Sequence, residues 1–285
     1  MSENDPETAS SQTAVSVEPE PPYHILSRRK KWSLVIIASL AGCFSPLSSN
    51  IYFPAINSIA TSLNVSLSLV ALTITVYMVV QGIAPSLFGA FSDTYGRRLT
   101  FTISLTIYTA ANLALAFTSS FPMLLVLRGI QAAGSAATIS ISAGVIADIA
   151  DPRERGGFMG TNAGIRMTGQ AIGPVIGGLL NSAWGFRSIF WLLFVLSALV
   201  LVGLLIFLPE TQRKIAGNGS VPLSGFHKPF IYFIKSPKSW TENREKTPPE
   251  SRESISFKKA CSPLAYLFEK DTAILLAWGA IAYTV

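Results

Sequence analysis

Six apolar stretches in this chain are each long enough to cross a lipid bilayer as a helix. Apolar residues make up 49% of the chain and charged residues only 13%, which is the composition of a membrane protein and not of a soluble domain. Backbone amides inside a bilayer must be hydrogen-bonded within the chain, so we predict an all-α membrane protein. The predicted spans are residues 32–54, 67–89, 100–118, 122–147, 158–183 and 187–208.

The distribution of Lys and Arg predicts the orientation of these spans. Nineteen of the twenty-two lie on one side, including residues 28–31, both members of 97–98, and eleven residues after the sixth span. Because cytoplasmic loops carry an excess of Lys and Arg, this side is predicted to be cytoplasmic, with the N-terminus on it. The net charge of +6 is therefore a signal of membrane topology, and no nucleic-acid partner is implied.

The segments outside the six-span region, 32–208, divide into three parts. Residues 1–31 are rich in Pro, Ser, Thr and Glu and are predicted to form a disordered cytoplasmic tail. Residues 209–270 are polar and Pro-rich, which predicts a cytoplasmic central loop. Residues 271–285 open another apolar run, whose fourteen apolar residues would rise about 21 Å as a helix, against roughly 30 Å of hydrocarbon. We therefore expect an incomplete seventh helix.

The fifth span contains the pattern G-x-x-x-G-P-x-x-G-G-x-L over residues 169–180. Gly169, Gly173 and Gly177 are four residues apart, so they share one side of a helix and allow another backbone to approach closely. Pro174 inside a span requires neighbouring helices to satisfy the backbone groups that it frees. From the residues alone, this pattern indicates a tight helix-packing stripe, to which Gly178 adds a further small residue.

Further motifs stand in a fixed order along the chain. They are GAFSDTYGRR at residues 89–98, the stretch 124–137 in the fourth span, and Pro-Glu-Thr at 209–211, with SPLSSNIYFPA at 45–55 in the first span. Together with the fifth-span pattern they resemble the major facilitator superfamily, in particular the twelve-spanner drug:proton antiporters of the fungal quinidine-resistance type. One departure is Ala132, where the fourth-span motif usually has Gly.

The resemblance implies the N-terminal six-helix half of a major facilitator fold, with the substrate site between this half and a second one. It implies no enzyme, cofactor or metal, but a plasma-membrane transporter that exports small, largely apolar molecules in exchange for protons. The glycine pattern then corresponds to the antiporter motif. A cytoplasmic gating loop is implied to latch one conformation against the opposite half. Its residues are Gly89, Asp93, Gly96, Arg97 and Arg98.

Local chemistry suggests how that gating loop is built. Gly89 and Gly96 are expected to let the backbone bend tightly. Asp93 precedes the third span and is expected to accept hydrogen bonds from the first amides of that helix.

No Asp or Glu lies at the centre of a predicted span, so the membrane-embedded charges are Arg128 and Arg166. The resemblance makes Arg128 a candidate for proton coupling, although arginine stays protonated and would act by tuning a neighbour or a water molecule. The alternative is an arginine that snorkels to the outer interface. Arg166, one turn before Gln170, has three alternatives. It meets an anionic substrate in the central cavity, meets a carboxylate on the other half, or snorkels to the cytoplasmic headgroups.

Other polar side chains within the spans are predicted to line the substrate cavity or, alternatively, to bond one helix to another. No Gly-rich phosphate loop, Ser-His-Asp set or metal-ligand cluster appears in the sequence, which argues against an ATP-driven pump or a membrane enzyme. The expected partners are lipid, protons and a small-molecule substrate. A truncated, non-transporting fragment and a half-transporter that pairs with itself stay open as alternatives. The cavity residues are Asn50, Tyr52, Tyr77, Gln81, Asn112, Gln131, Arg166 and Gln170.

Overall fold

The computed structural model describes residues 26–216 and the isolated positions 269 and 274. The tail before residue 26, most of the predicted central loop and nearly all of the predicted seventh helix lie outside the described residues. Within 26–216 the chain is helical apart from short connections. The helices are α1 Arg28–Asn50, α2 Ile56–Leu63, α3 Leu67–Tyr95, α4 Arg97–Ala116, α5 Phe121–Ile149, α6 Pro152–Trp184, α7 Arg187–Phe207 and α8 Arg213–Ala216.

The predicted all-α membrane fold is confirmed, and each predicted span corresponds to a helix. A short 3-10 turn joins α1 to α2, so that Arg28–Leu63 forms one long span. By length and composition, this span and helices α3, α4, α5 and α7 are apolar enough to cross a membrane, which makes five in the described part of the chain. Helix α6 is the longest at 33 residues, but its many glycines and polar side chains make it less apolar.

Two helix ends differ from the sequence-based boundaries for identifiable reasons. Helix α1 begins at Arg28, inside the predicted tail. Its first turns are held against α6 by Lys31, whose Nζ lies 3.2 Å from Glu154 Oε2, and by the Trp32 ring, which meets the ring of Phe158 edge-on at 5.0 Å. Helix α3 runs on to Tyr95 and ends where Gly96 takes a positive φ of 107°, a conformation that glycine adopts without steric cost.

Two long pairings and a central helix organise the described bundle. Helix α1 packs along α6, α3 packs along α5, and α4 packs against both α5 and α7. Because α5 also contacts α1, it occupies the centre. Gly134 explains how closely α4 and α5 approach, since a Cβ at this position would lie 2.8 Å from the backbone N of Tyr108. Ala132, the departure from the family motif, is fully buried in the same helix.

Candidate functional site

The three glycines of the fifth-span pattern face α1 along the whole seam between the two helices. A Cβ on Gly173 would lie 3.2 Å from the backbone N of Ile51, and one on Gly177 would run into the carbonyl oxygen of the same Ile51. Gly169 faces Cys43 one turn earlier. The glycines are therefore a helix-packing stripe, as their spacing predicts. Their role in antiport stays a prediction.

Arg97 joins the gating turn between α3 and α4 to the last turns of the central helix α5. Its Nε donates to Asp148 Oδ2 at 3.0 Å, and its Nη1 lies 2.7 Å from Asp93 Oδ1. The guanidinium lies flat on Gly144 of α5, where a Cβ would come within 2.8 Å of its Cζ. The end of α3 is thereby bound to the end of α5.

Glu210, not Asp93, accepts from the first amides of α4. The two carboxylate oxygens of Glu210 accept from the backbone N–H of Arg97 at 2.8 Å and of Arg98 at 3.3 Å. Asp93 lies within the last turn of α3 with 64% of its side chain exposed, so the expectation that it caps α4 is wrong. The segment that follows α7 therefore packs against the gating turn and caps the start of α4 through Glu210.

Arg98 and Gly89 are the other two residues of the predicted gating loop. Arg98 is buried, and its Nη2 donates to the carbonyl oxygen of Leu205 at 2.8 Å. Gly89 lies inside α3 with open space where a Cβ would be, so the expected bend at this glycine is wrong and only Gly96 supplies one. All of these contacts lie within this half of the fold. The contact with an opposite half stays a prediction.

Arg128 is enclosed at the centre of the bundle with 1% of its surface exposed. Its Cζ lies 4.2 Å from the ring centre of Tyr52 and 4.3 Å from that of Tyr77, so the guanidinium is stacked between two aromatic rings. Its Nη1 donates to Gln131 Oε1 at 2.7 Å. The Nε and Nη2 atoms have no hydrogen-bond partner among the described residues. This burial rules out the alternative of a snorkelling arginine.

The groups around Arg128 form one buried hydrogen-bond network. Tyr77 Oη bonds Ser135 Oγ at 2.9 Å, and Tyr52 Oη bonds Thr73 Oγ1 at 3.0 Å. The amide of Gln131 continues the network by donating to Asn112 Oδ1 at 2.7 Å. These contacts join α3, α4, α5 and the turn that follows α1. In a bilayer, buried polar groups that satisfy each other in this way hold helices together.

Sequence reasoning missed several members of this network, above all Ser48 and Tyr108, whose hydroxyl groups lie 2.6 Å apart. A signal was present in the sequence, where Ser45, Ser48 and Tyr52 recur at helical spacing across the end of α1 and the turn that follows it. Tyr108 gave no comparable signal, because a lone tyrosine in a span is as typical of an aromatic packing residue.

The structure separates the predicted cavity residues into groups. Tyr52, Tyr77, Asn112 and Gln131 are buried around Arg128. Gln81 and Asn50 are half-buried and bond within the bundle, to Ser45 Oγ and to the carbonyl oxygen of Pro46 respectively, each at 2.8 Å. Arg166 and Gln170 form a separate group on α6.

Arg166 lies half-buried at the seam between α1 and α6. Its Cδ would be 3.7 Å from a Cβ on Gly42 of α1, and its buried Nε has no hydrogen-bond partner in the described part of the chain. Gln170, one turn later on the same face, is exposed. The five carboxylates within residues 26–216 all lie in the first or last turn of a helix or beyond it, so the interior of the spans in this region holds Arg128 and Arg166 but no acidic side chain. The carboxylates are Asp93, Asp148, Asp151, Glu154 and Glu210.

Comparisons with known proteins agree with this architecture. The sequence profile of the Major Facilitator Superfamily matches residues 38–284. Citrate exporter 1 of Aspergillus niger is 51% identical over 266 residues, which are 93% of this chain and 50% of that protein. Multidrug transporter QDR2 of Candida glabrata is 36% identical over 279 residues, 97% of this chain and 47% of that protein. The chain thus spans about half the length of the curated relatives it matches.

Solved structures show the same fold at lower identity. The proton:xylose symporter XylE bound to a bromodeoxyglucose superposes with a TM-score of 0.61 and 18% identity, over 71% of this chain and 50% of that chain. The human organic anion transporter MFSD10 superposes with a TM-score of 0.56 and 21% identity, over 83% of this chain and 55% of that chain. At these identities the likeness extends to the fold alone.

Proposed function

The chain belongs to the major facilitator superfamily, as its motifs predicted, and from this premise we propose that it forms one half of a proton-coupled exporter of small organic anions. The proposal that the substrate is an anion rests on one observation. Within residues 26–216 the interior of the membrane-spanning helices, away from their first and last turns, holds Arg128 and Arg166 but no carboxylate. A cation inside the membrane is unfavourable without an anionic partner, and a substrate carboxylate would supply one.

Arg166 is the better candidate for the substrate contact. Arg128 is enclosed by two tyrosine rings with 1% of its surface exposed, so a substrate has no access to it in this conformation. Arg166 is half-buried, and its Nε has no hydrogen-bond partner within residues 26–216. The exposed Gln170, one turn away, offers a neutral hydrogen-bonding group. The name of the 51% identical relative, a citrate exporter, supports an organic acid as the substrate.

Largely apolar molecules such as drugs or toxins are the second candidate. The same helix exposes Met167, Ile172 and Val175 on either side of the polar positions, and an apolar body would pack on these side chains. The multidrug and quinidine-resistance names among the relatives support this reading. The two candidates differ in whether Arg166 is needed.

We further propose a role for Arg128 in coupling export to protons. A proton carrier must change its charge near ambient pH, which arginine does not do. Arg128 would therefore act by holding Tyr52, Tyr77 and Gln131 in place and by setting the electrostatic field around them. The gating turn with Asp93 and Arg97 would latch the cytoplasmic side, and the plasma membrane with a cytoplasmic N-terminus would be the site of action.

A chimera tests the substrate proposal. Residues 26–216 would replace the matching half of the A. niger citrate exporter, and export of labelled citrate and of an apolar dye would be measured in cells. We expect the chimera to export citrate, and Arg166→Gln to lower that export about tenfold or more while the dye signal is kept. Arg187→Gln, at the other end of the bundle, is the matched control. Full citrate export by Arg166→Gln would contradict the proposal. A chimera that exports the dye but not citrate, with dye export unchanged in Arg166→Gln, would favour the apolar candidate.

A further inference from the structure

Six cations gather where α1 and α6 begin. The first turn of α1 contributes Arg28, Arg29, Lys30 and Lys31, and the first turn of α6 contributes Arg153 and Arg155. Only two carboxylates, Asp151 and Glu154, lie in the same two turns. We call the five exposed cations of this set, which leave out Lys31, the α1–α6 basic patch.

The two first turns form a single surface because α1 and α6 run parallel and start side by side. Lys31 Nζ lies 3.2 Å from Glu154 Oε2. Trp32 and Phe158 pack edge-on at 5.0 Å immediately above this pair. The ion pair uses the one cation of the six that is largely buried, with 12% of its side chain exposed. The five patch residues are thereby presented together.

None of the five patch residues forms an ion pair with a carboxylate of the described chain, and the two carboxylates of these turns offset only part of the charge. In residues 26–216 the ion pairs involve Lys31 and Arg97 but none of Arg28, Arg29, Lys30, Arg153 and Arg155. Five cations held on adjacent turns repel each other, and this repulsion is relieved when an anion binds among them. The surface is therefore complementary to a ligand with several negative charges.

The position of the patch identifies the source of that anion. Beyond the Trp32–Phe158 pair, α1 continues directly into its apolar span, so the patch lies at the depth of the lipid headgroups. Four of its five residues are arginines, whose planar fork binds phosphate through two parallel hydrogen bonds. Clusters of this size next to a spanning helix attract anionic lipids of the cytoplasmic leaflet.

We propose that the α1–α6 basic patch binds the headgroup of a polyphosphorylated inositol lipid. A headgroup with several phosphates on one ring meets the starts of α1 and α6 at once, whereas a headgroup with a single charge meets only one of them. The bound lipid bridges the ends of the two helices that the glycine stripe packs together. Lipid composition thereby sets the stability of the α1–α6 seam.

The test uses the purified 285-residue chain in neutral lipid nanodiscs doped with phosphatidylinositol bisphosphate. The midpoint of thermal unfolding is followed by tryptophan fluorescence, and the lipid fraction that gives half of the shift is the measured affinity. We expect the bisphosphate to raise the midpoint in a saturable and salt-sensitive way. Replacing either Arg28, Arg29 and Lys30 together, or Arg153 and Arg155 together, by Gln should weaken this affinity about tenfold or more.

Three comparisons decide the outcome. Arg187→Gln, which removes one cation at the opposite end of the bundle, should leave the lipid-induced shift unchanged. Phosphatidylserine at matched total charge should give a smaller shift, and an equal shift would overturn the preference for several phosphates on one headgroup. An equal shift from soluble inositol trisphosphate would overturn the assignment to a lipid. If both sets of Gln variants keep the full affinity, the patch is not the binding surface.

Discussion

At the residue scale, neighbouring glycines of α6 differ sharply in what they tolerate. A Cβ on Gly177 would run into the backbone carbonyl of Ile51, which cannot swing away as a side chain would. A Cβ on Gly178 would meet only the Cβ of Pro54, at an ordinary 3.9 Å. Alanine changes the helix propensity equally at Gly177 and Gly178. Comparing the two substitutions therefore isolates the energetic cost of the close contact at Gly177.

We predict that Gly177→Ala destabilises the bundle by about 1–3 kcal/mol because the seam is overpacked. Gly178→Ala should be close to neutral, and Gly173→Leu should be more severe than either, because its larger side chain would point at the Asn50–Ile51 backbone. Thermal unfolding midpoints in detergent measure all three. Equal midpoints for Gly177→Ala and Gly178→Ala would show that the seam is looser than described.

Arg128 depends on the shape of its side chain as much as on its charge. Its guanidinium is stacked between Tyr52 and Tyr77 and bonds Gln131 along one edge. A lysine ammonium is a compact charge and cannot fill the space between two rings in this way. We expect Arg128→Lys to cost about 1–2 kcal/mol of stability. Arg155→Lys, the same change at an exposed arginine that stacks on no ring of the described residues, should have little effect, and a matching loss there would contradict the stacking interpretation.

At the element scale, the start of α4 depends on a carboxylate that lies far away in sequence. Glu210 accepts from the backbone N–H of Arg97 and Arg98 and also from Thr211 and Gln212, at 3.0 and 3.1 Å. A negative charge at a helix N-terminus interacts favourably with its unpaired amides. This contact links the exit of α7 to the α3–α4 turn.

We predict that Glu210→Gln destabilises this turn by about 1–3 kcal/mol, because the neutral amide loses the negative charge at the helix N-terminus and replaces one of the two accepting oxygens by an N–H donor. Glu154→Gln is the control, since its ion pair with Lys31 is partly exposed and should be worth about 0–1 kcal/mol. Unfolding midpoints, together with hydrogen exchange at Arg97 and Arg98, measure the effect. Unchanged exchange at these two amides would contradict the capping role.

The elements show what a sequence predicts and what it leaves out. The spans were predictable because hydrophobic length is local, and Gly173 because its spacing is local. The cap on α4 was assigned to Asp93 because Asp93 is nearby in sequence, while the true acceptor, Glu210, reaches the turn only after α7 has packed against α4. Arg128 was recognisable from its motif. Tyr52 and Tyr77 were predicted only as cavity residues, because their stacking on Arg128 arises when the turn after α1 and helix α3 pack against α5.

At the scale of the whole molecule, the positive-inside pattern predicts which face of the bundle is cytoplasmic. In a chain without Cys43 and Cys261, a cysteine at Ser62, exposed in α2, should react with an impermeant thiol reagent added to intact cells. A cysteine at Ser220, in the predicted central loop, should react only after the cells are opened. The reverse pattern would invert the proposed topology, including the placement of the gating turn and the basic patch.

Proton coupling is the property that this half is least equipped to supply alone. In residues 26–216 every carboxylate lies at or beyond a helix end, and the charges within the spans are Arg128 and Arg166, which stay protonated. The polar positions on α6 near Arg166 would also face lipid without a second half, which is unfavourable. The relatives extend over about twice the length of this chain.

We therefore predict that the purified 285-residue chain in liposomes shows no substrate flux driven by a pH gradient, whereas the chimera with the second half of the A. niger citrate exporter does. Flux of labelled citrate and of an apolar dye, each with and without the gradient, is the measurement. Absence of flux from the chimera as well would show that this half, and not the lack of a second half, prevents transport. Robust flux from the short chain would show that two copies pair to rebuild the two-fold arrangement of the complete fold.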